Sequence, residues 1–184
     1  MQELSLNILD IVQNSIRAEA SLIEINILED TKKDIFSFYV NDNGCGMSEE
    51  MLKQVSDPFV TTRTTRKVGL GISLLKSAAQ AAGGDVELTS TLGVGTKLCA
   101  NFKHSHIDRQ PLGDIGSVIT TLITTNPKID FIYFHTHNGR ELTINTMELR
   151  QVLGDEVSLS EVSVMQWISE YLKEGLSEIY GGVL

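Results

Sequence analysis

The chain has 184 residues, 41% of them hydrophobic and 21% charged, which suits a folded domain with a buried core and excludes a disordered tail or a collagen repeat. Against 15 Lys and Arg stand 24 Asp and Glu, and the net charge of −9 argues against a general nucleic-acid surface. No apolar run reaches the ~20 residues of a membrane helix. Met1-Gln2-Glu3-Leu4 lacks the basic start of a leader, and 2 cysteines cannot build a disulfide framework. The expectation is a cytoplasmic protein that partners neither nucleic acid nor membrane.

Residues 3–19 show helical periodicity, with Ile8, Leu9, Ile11, Val12 and Ile16 on one side and Asn7, Asp10, Asn14 and Arg17 opposite. Residues 22–28 alternate Ile23, Ile25 and Ile27 with Glu24 and Asn26, as a strand does, and 35–40 form a second strand after a polar turn. Asp42-Asn43-Gly44-Cys45-Gly46-Met47 is a glycine loop at a strand end. Ser48, Glu49 and Glu50 open a short helix that Asp57-Pro58 breaks. Residues 61–67 form a polar, basic loop. A helix over 70–82 stops at Gly83-Gly84, and strands follow at 85–90 and 97–103.

A joint is expected over 105–113. Beyond it the pattern predicts a helix at 115–124 and a hairpin of strands 129–136 and 141–145 that turns at Asn138-Gly139. Two more helices are predicted, over 147–153 and 160–173. The order predicts an α/β two-layer sandwich with a mixed, mainly antiparallel sheet and helices on one face. The division falls at residues 1–104 and 105–184, the second part being a subdomain or an extension of the first sheet. Phe131, Ile132, Tyr133 and Phe134 run consecutively, which predicts a strand buried on both faces, within the monomer or in a homodimer or partner interface.

Four elements can carry chemistry. Asp10 and Asn14, one helical turn apart, offer two oxygen donors that suit a magnesium ion and a water. Asp42 can accept from an exocyclic amine, and Gly44 and Gly46 let backbone approach a ligand. Gly69-Leu70-Gly71 opens a helix, where free N–H groups and the helix dipole favour phosphate, and Arg63, Arg66 and Lys67 add positive charge just before it. Gly93-Val94-Gly95-Thr96 is a hairpin turn in its own right.

Taken together, these elements resemble the ATPases of the gyrase, Hsp90, histidine kinase and mismatch-repair group, over Leu4 to about Phe102. The resemblance rests on Leu9-Asp10-Ile11-Val12-Gln13-Asn14-Ser15, on Asp42-Asn43-Gly44-Cys45-Gly46-Met47, and on Asp57-Pro58-Phe59-Val60-Thr61-Thr62, which is similar to a histidine kinase segment. It is completed by Gly69-Leu70-Gly71-Ile72 and Gly93-Val94-Gly95-Thr96. It implies a Bergerat-type fold with ATP and magnesium as cofactors. Asn14 would hold the magnesium, and Asp42 would take the adenine amine with Gly44 and Gly46 beside the base. Thr96 would support the adenine end. Gly69, Leu70 and Gly71 would contact phosphates, and Thr61, Thr62, Arg63, Arg66 and Lys67 would form a lid.

Hydrolysing members commonly carry Glu where this chain has Asp10, a shorter base, so slow hydrolysis or phosphoryl transfer in a regulatory switch is expected. The alternatives are a nucleotide sensor without catalysis and a serine kinase like the anti-sigma-factor kinases. Only three residues stand before Leu4, so a self-sufficient histidine kinase is not expected, and a protein partner is. The segment after Phe102 does not resemble the second domain of gyrase or mismatch-repair ATPases. His104-x-His106 and His135-x-His137 are read as surface or hairpin histidines rather than a metal site. Cys45 is read as a small buried thiol, and Trp167 with Val164, Ile168, Tyr171 and Leu172 as helix core or subunit interface.

Overall fold

The computed structural model describes residues 3–56, 70–154 and 157–182. In chain order the elements are α1 (Leu4–Arg17), β1 (Leu22–Asp30), β2 (Ile35–Asp42), α2 (Glu49–Ser56), α3 (Leu70–Ala81), β3 (Asp85–Thr91) and β4 (Gly95–Lys103). Then come α4 (Ile115–Thr125), β5 (Asp130–His137), β6 (Arg140–Asn145), α5 (Thr146–Leu153) and α6 (Val162–Ile179). The strands form one six-stranded sheet in the order β3-β4-β2-β1-β5-β6. Only β1 and β5 run parallel, so the sheet is mixed and mainly antiparallel.

Register explains the layering. Ile25 lies opposite Val40 on one side and Tyr133 on the other, Val40 opposite Leu98, and all four are buried. Alternation places their strand neighbours on the other face, where Tyr39 and Asn41 are half-buried and Phe134 is 40% exposed. The buried face joins Ile8 and Val12 of α1, Leu75 and Ala79 of α3, Ile119 and Ile123 of α4, and Ile168 and Leu172 of α6 in one core. Gly175 of α6 packs on Leu142, which a Cβ there would meet at 2.4 Å.

The strands of residues 105–184 thus continue the first sheet through the β1–β5 pair. Within the monomer β5 is not buried on both faces: Phe131 and Tyr133 are buried, whereas Phe134 faces the less covered side. The polar side of α1 also differs from expectation. Asn7 is 8% exposed, because α1 contacts both α3 and α4 and so buries more than one stripe. The hairpin turn takes positive φ at Asn138 and Gly139, as an Asn-Gly turn requires.

Candidate functional site

Asp42 is the last residue of β2, and the alternation that buries Phe38 and Val40 turns its carboxylate to the same side. There it meets α1. Ser15 Oγ donates to Asp42 Oδ2 at 2.6 Å, while the N–H groups of Gly44 and Thr96 donate to Oδ1 at 2.9 and 3.3 Å. Asp42 and Thr96 are direct partners across the β2–β4 ladder. The Thr96 hydroxyl lies 2.8 Å from Ser90 Oγ, which also accepts from Met47 N. Asn43 Oδ1 accepts from the N–H groups of Ser21 and Leu22 and ties the loop to the turn after α1.

The glycines divide into two kinds. A Cβ on Gly44 would stand 2.7 Å from the Ala18 carbonyl oxygen, one on Gly46 2.0 Å from that of Thr91, and one on Gly95 1.9 Å from that of Asp42. Gly46 and Gly95 let the two glycine loops interlock and Gly44 seats the first of them on the end of α1, packing roles that precede any contact with a base. Among the described residues, none stands within 4 Å of where a Cβ on Gly71, in the first turn of α3, would be. Packing among the described residues therefore gives no reason for glycine there, and Ala would suit a helix better by roughly 0.5–1 kcal/mol.

Asn14 is half-buried next to Ser15, and its Oδ1 accepts from Arg17 Nη1 at 3.0 Å. Asp10, one turn earlier, is exposed. The structure thus brings Asp42, Gly44, Gly46 and Thr96 together with the end of α1. Thr61, Thr62, Arg63, Arg66, Lys67 and Gly69 lie outside the described residues, and Leu70 begins α3. A cavity of about 430 Å3 opens beside Asp42, lined also by Glu24, Asn41 and Lys97 from the less covered face. Ser15 was not among the sequence candidates. Its signal was a hydroxyl beside Asn14 on the buried side of α1.

At the other end of β1 the histidines hold a different arrangement. His135 is fully buried, not a surface residue: β5 lies inside the sheet and turns this side chain into the core. Its Nδ1 lies 2.8 Å from Tyr133 Oη, and its Nε2 lies 2.9 Å from Glu29 Oε1. Tyr180 Oη donates to the same Glu29 oxygen, and His104 Nε2 stands 3.4 Å from Oε2. Burial raises the Glu29 pKa, but hydrogen bonds from His135 and Tyr180 more than offset it and hold the carboxyl below its ordinary 4.5. Burial and the Glu29 hydrogen bond push the Tyr180 phenol well up.

Among the described residues no group of three or more His, Cys, Asp and Glu side chains is arranged for a metal, and no helix is long and apolar enough to cross a membrane. Cys45 is exposed rather than buried, because Gly44 and Gly46 on either side pack their backbone inward. Trp167 is 48% exposed and stacks on Tyr171, while Val164, Ile168 and Leu172 form the core face of α6.

Residues 2–106 match the family model described as histidine kinase-, DNA gyrase B- and HSP90-like ATPase. The chain is 34% identical over 117 residues to hybrid signal transduction histidine kinase E of Dictyostelium discoideum, covering 56% of this chain and 7% of that protein. It is 35% identical over 92 residues to sensor protein KdpD of Clostridium acetobutylicum, covering 47% of this chain and 10% of that protein. The chain therefore spans a small part of the curated relatives it matches. Among solved structures, the N-terminal domain of a DNA repair protein superposes with a TM-score of 0.57 at 18% identity, covering 98% of this chain and 57% of that one. The matched fold thus includes the elements after Phe102, where the sequence showed no likeness.

Proposed function

The chain belongs to the histidine kinase-, DNA gyrase B- and HSP90-like ATPase family, and on that premise we propose that α1 and the ends of β2 and β4 bind magnesium-ATP as a regulatory switch with slow hydrolysis or phosphoryl transfer. Family membership implies ATP binding; the switch, the magnesium and the residue roles are the proposal. One observation carries it: the Asp42 carboxylate is held at the end of β2 by Ser15, Gly44 and Thr96. Fixed there, it accepts the adenine N6 amine and rejects guanine, which presents a carbonyl at that position.

Asn14, whose amide oxygen accepts from Arg17, would hold the magnesium, which would supply positive charge to the phosphates. Gly71 supplies bare backbone at the start of α3 for the phosphates. Asp10 takes the proton of the attacking water, whose oxygen bonds to the γ-phosphorus as the bond to ADP breaks. Residues 105–184 form the surface that reports the nucleotide state to a protein partner or a second copy. A second reading, a sensor that returns ATP intact, is favoured by the exposure of Asp10, since a base open to solvent is poorly positioned.

A single-turnover assay with wild type and Asp10→Asn separates the two readings. The switch with hydrolysis predicts phosphate release by wild type and a loss of about 10²–10⁴-fold in Asp10→Asn with binding retained. Intact ATP after long incubation leaves the sensor, whereas equal phosphate release by both proteins keeps hydrolysis and removes Asp10 from the chemistry.

A further inference from the structure

The residues between β4 and α4 do more than join two elements. Glu3, the N-cap residue of α1, makes no side-chain capping hydrogen bond. Instead Leu4 N donates to the Pro111 carbonyl at 2.9 Å and Ser5 N to the Leu112 carbonyl at 2.8 Å. Two of the four N–H groups that a helix start leaves without partners are thus capped by a segment more than 100 residues away. Gly113 lies directly against the cap residue: its φ is +78°, and a Cβ on it would stand 2.0 Å from Glu3 Oε2 and 2.7 Å from Glu3 Cβ. The next residue, Asp114, caps α4 by accepting from Ser117 N at 3.0 Å. The segment that caps α1 therefore runs straight into the cap of α4, and α4 packs on both α1 and α6.

A helix held by hydrogen bonds of 2.8–2.9 Å cannot slide by an ångström unless its acceptors follow. Pro111 and Leu112 must follow α1, and Asp114 must follow them. There is room for this motion. A cavity of about 500 Å3 lies among Leu112, Asp114 and Ser117 on one side and Ser169, Lys173 and Tyr180 on the other, beside the point where Gly116 packs on Leu176. Elsewhere the shared core is tight and transmits a shift instead of absorbing it.

We propose that residues 110–114 are a strap that passes the nucleotide state of α1 to α4 and thence to α6, with the cavity between α4 and α6 closing in one state and opening in the other. The proposal rests on the reading that α1 holds part of the nucleotide. ATP and ADP differ in the charge placed beside Asp10 and Asn14, and that difference in contact is what can bias the two positions. The strap makes α1 and the C-terminal helices one mechanical unit, and the α6 surface that changes includes Trp167 and Tyr171, both partly exposed and stacked on one another.

The test is hydrogen exchange on the full chain, empty, with magnesium-ADP and with a non-hydrolysable magnesium-ATP analogue, alongside titration calorimetry. The fluorescence of Trp167, the only tryptophan, gives a second report from α6. The analogue should slow exchange about tenfold at Leu4 and Ser5, change it at 115–119 and 169–180, and shift the Trp167 emission, ADP doing less. Gly113→Ala should still bind the analogue and protect the 42–47 loop, but lose the response of α4 and Trp167. Glu3→Ala, a milder loosening of the same contact, should lose part of it and serves if Gly113→Ala does not fold. Binding and loop protection in the wild type with silent α4 and Trp167 would overturn the strap, as would full transmission in Gly113→Ala or Glu3→Ala. No heat and no protection anywhere would instead overturn ATP binding itself, and the strap with it.

Discussion

Asp42 and Glu29 are two buried carboxylates on the same face of the same sheet, some six residues or roughly 20 Å apart along the strands. Asp42 is held by three donors, and Glu29 by two with His104 Nε2 3.4 Å away, and their surroundings differ. Asp42 takes two of its hydrogen bonds from backbone N–H groups, in interlocked glycine loops beside a cavity. Glu29 is ringed by the large side chains of His104, His135 and Tyr180, with the Tyr180 ring against His137 at 4.5 Å. One carboxylate is held largely by backbone in the glycine loops, and the other is closed over by side chains. Burial and hydrogen bonding alone do not mark a functional acid.

If that contrast is right, the two residues separate stability from binding. Glu29→Ala leaves His135 and the Tyr180 hydroxyl without their acceptor and should cost about 3–5 kcal/mol in urea unfolding. Its ATP affinity should stay within about twofold of wild type. The pH dependence follows the same residue. Because the folded pKa of Glu29 lies below its ordinary 4.5, its contribution is complete above that value and is lost as pH falls through the lowered folded value. Acid unfolding of Glu29→Gln should lack that component. A stable Glu29→Ala with impaired ATP binding would erase the contrast.

Asp42→Asn should do the reverse, weakening ATP by about 10- to 150-fold, the equivalent of about 1.5–3 kcal/mol, with a smaller effect on unfolding. Ser15→Ala removes the donor at 2.6 Å that orients Asp42 and should weaken ATP by about 2- to 12-fold. Calorimetry measures both, and an unchanged affinity in Ser15→Ala would show that Gly44 and Thr96 hold the carboxylate unaided. The smallest effect is the sharpest in sign. Gly71→Ala should stabilise the empty protein by roughly 0.5–1 kcal/mol, since no described residue stands where its Cβ would go, while lowering ATP affinity. A stabilised variant that binds ATP normally would remove Gly71 from the phosphate site.

The same contrast explains what could be read in the sequence. Asp42, Gly44 and Gly46 fall within five residues, so their chemistry shows as a motif, and the strand alternation of β1 and β2 follows from their isoleucines and valines. The order of helices and strands, the mixed sheet and the Asn-Gly hairpin were legible for the same local reasons. Glu29 and His135 are 106 positions apart, and no local pattern pairs them. The capping of α1 by Pro111 and Leu112 uses backbone carbonyls, which any residue supplies. Asn7 misled because helical periodicity counts one buried stripe, whereas α1 packs between two other helices. Phe134 shows that a run of large apolar residues does not say whether a second layer of the same chain covers the strand.

The central claim, that an adenine nucleotide is recognised through Asp42, is tested most directly by titrating the full wild-type chain with magnesium-ATP and magnesium-GTP in one calorimeter. Each missing or repelled hydrogen bond to a charged, buried group is worth about 1.5–3 kcal/mol, so ATP should bind at least about tenfold more tightly than GTP. Equal affinities for the two nucleotides, or binding to neither, would contradict it.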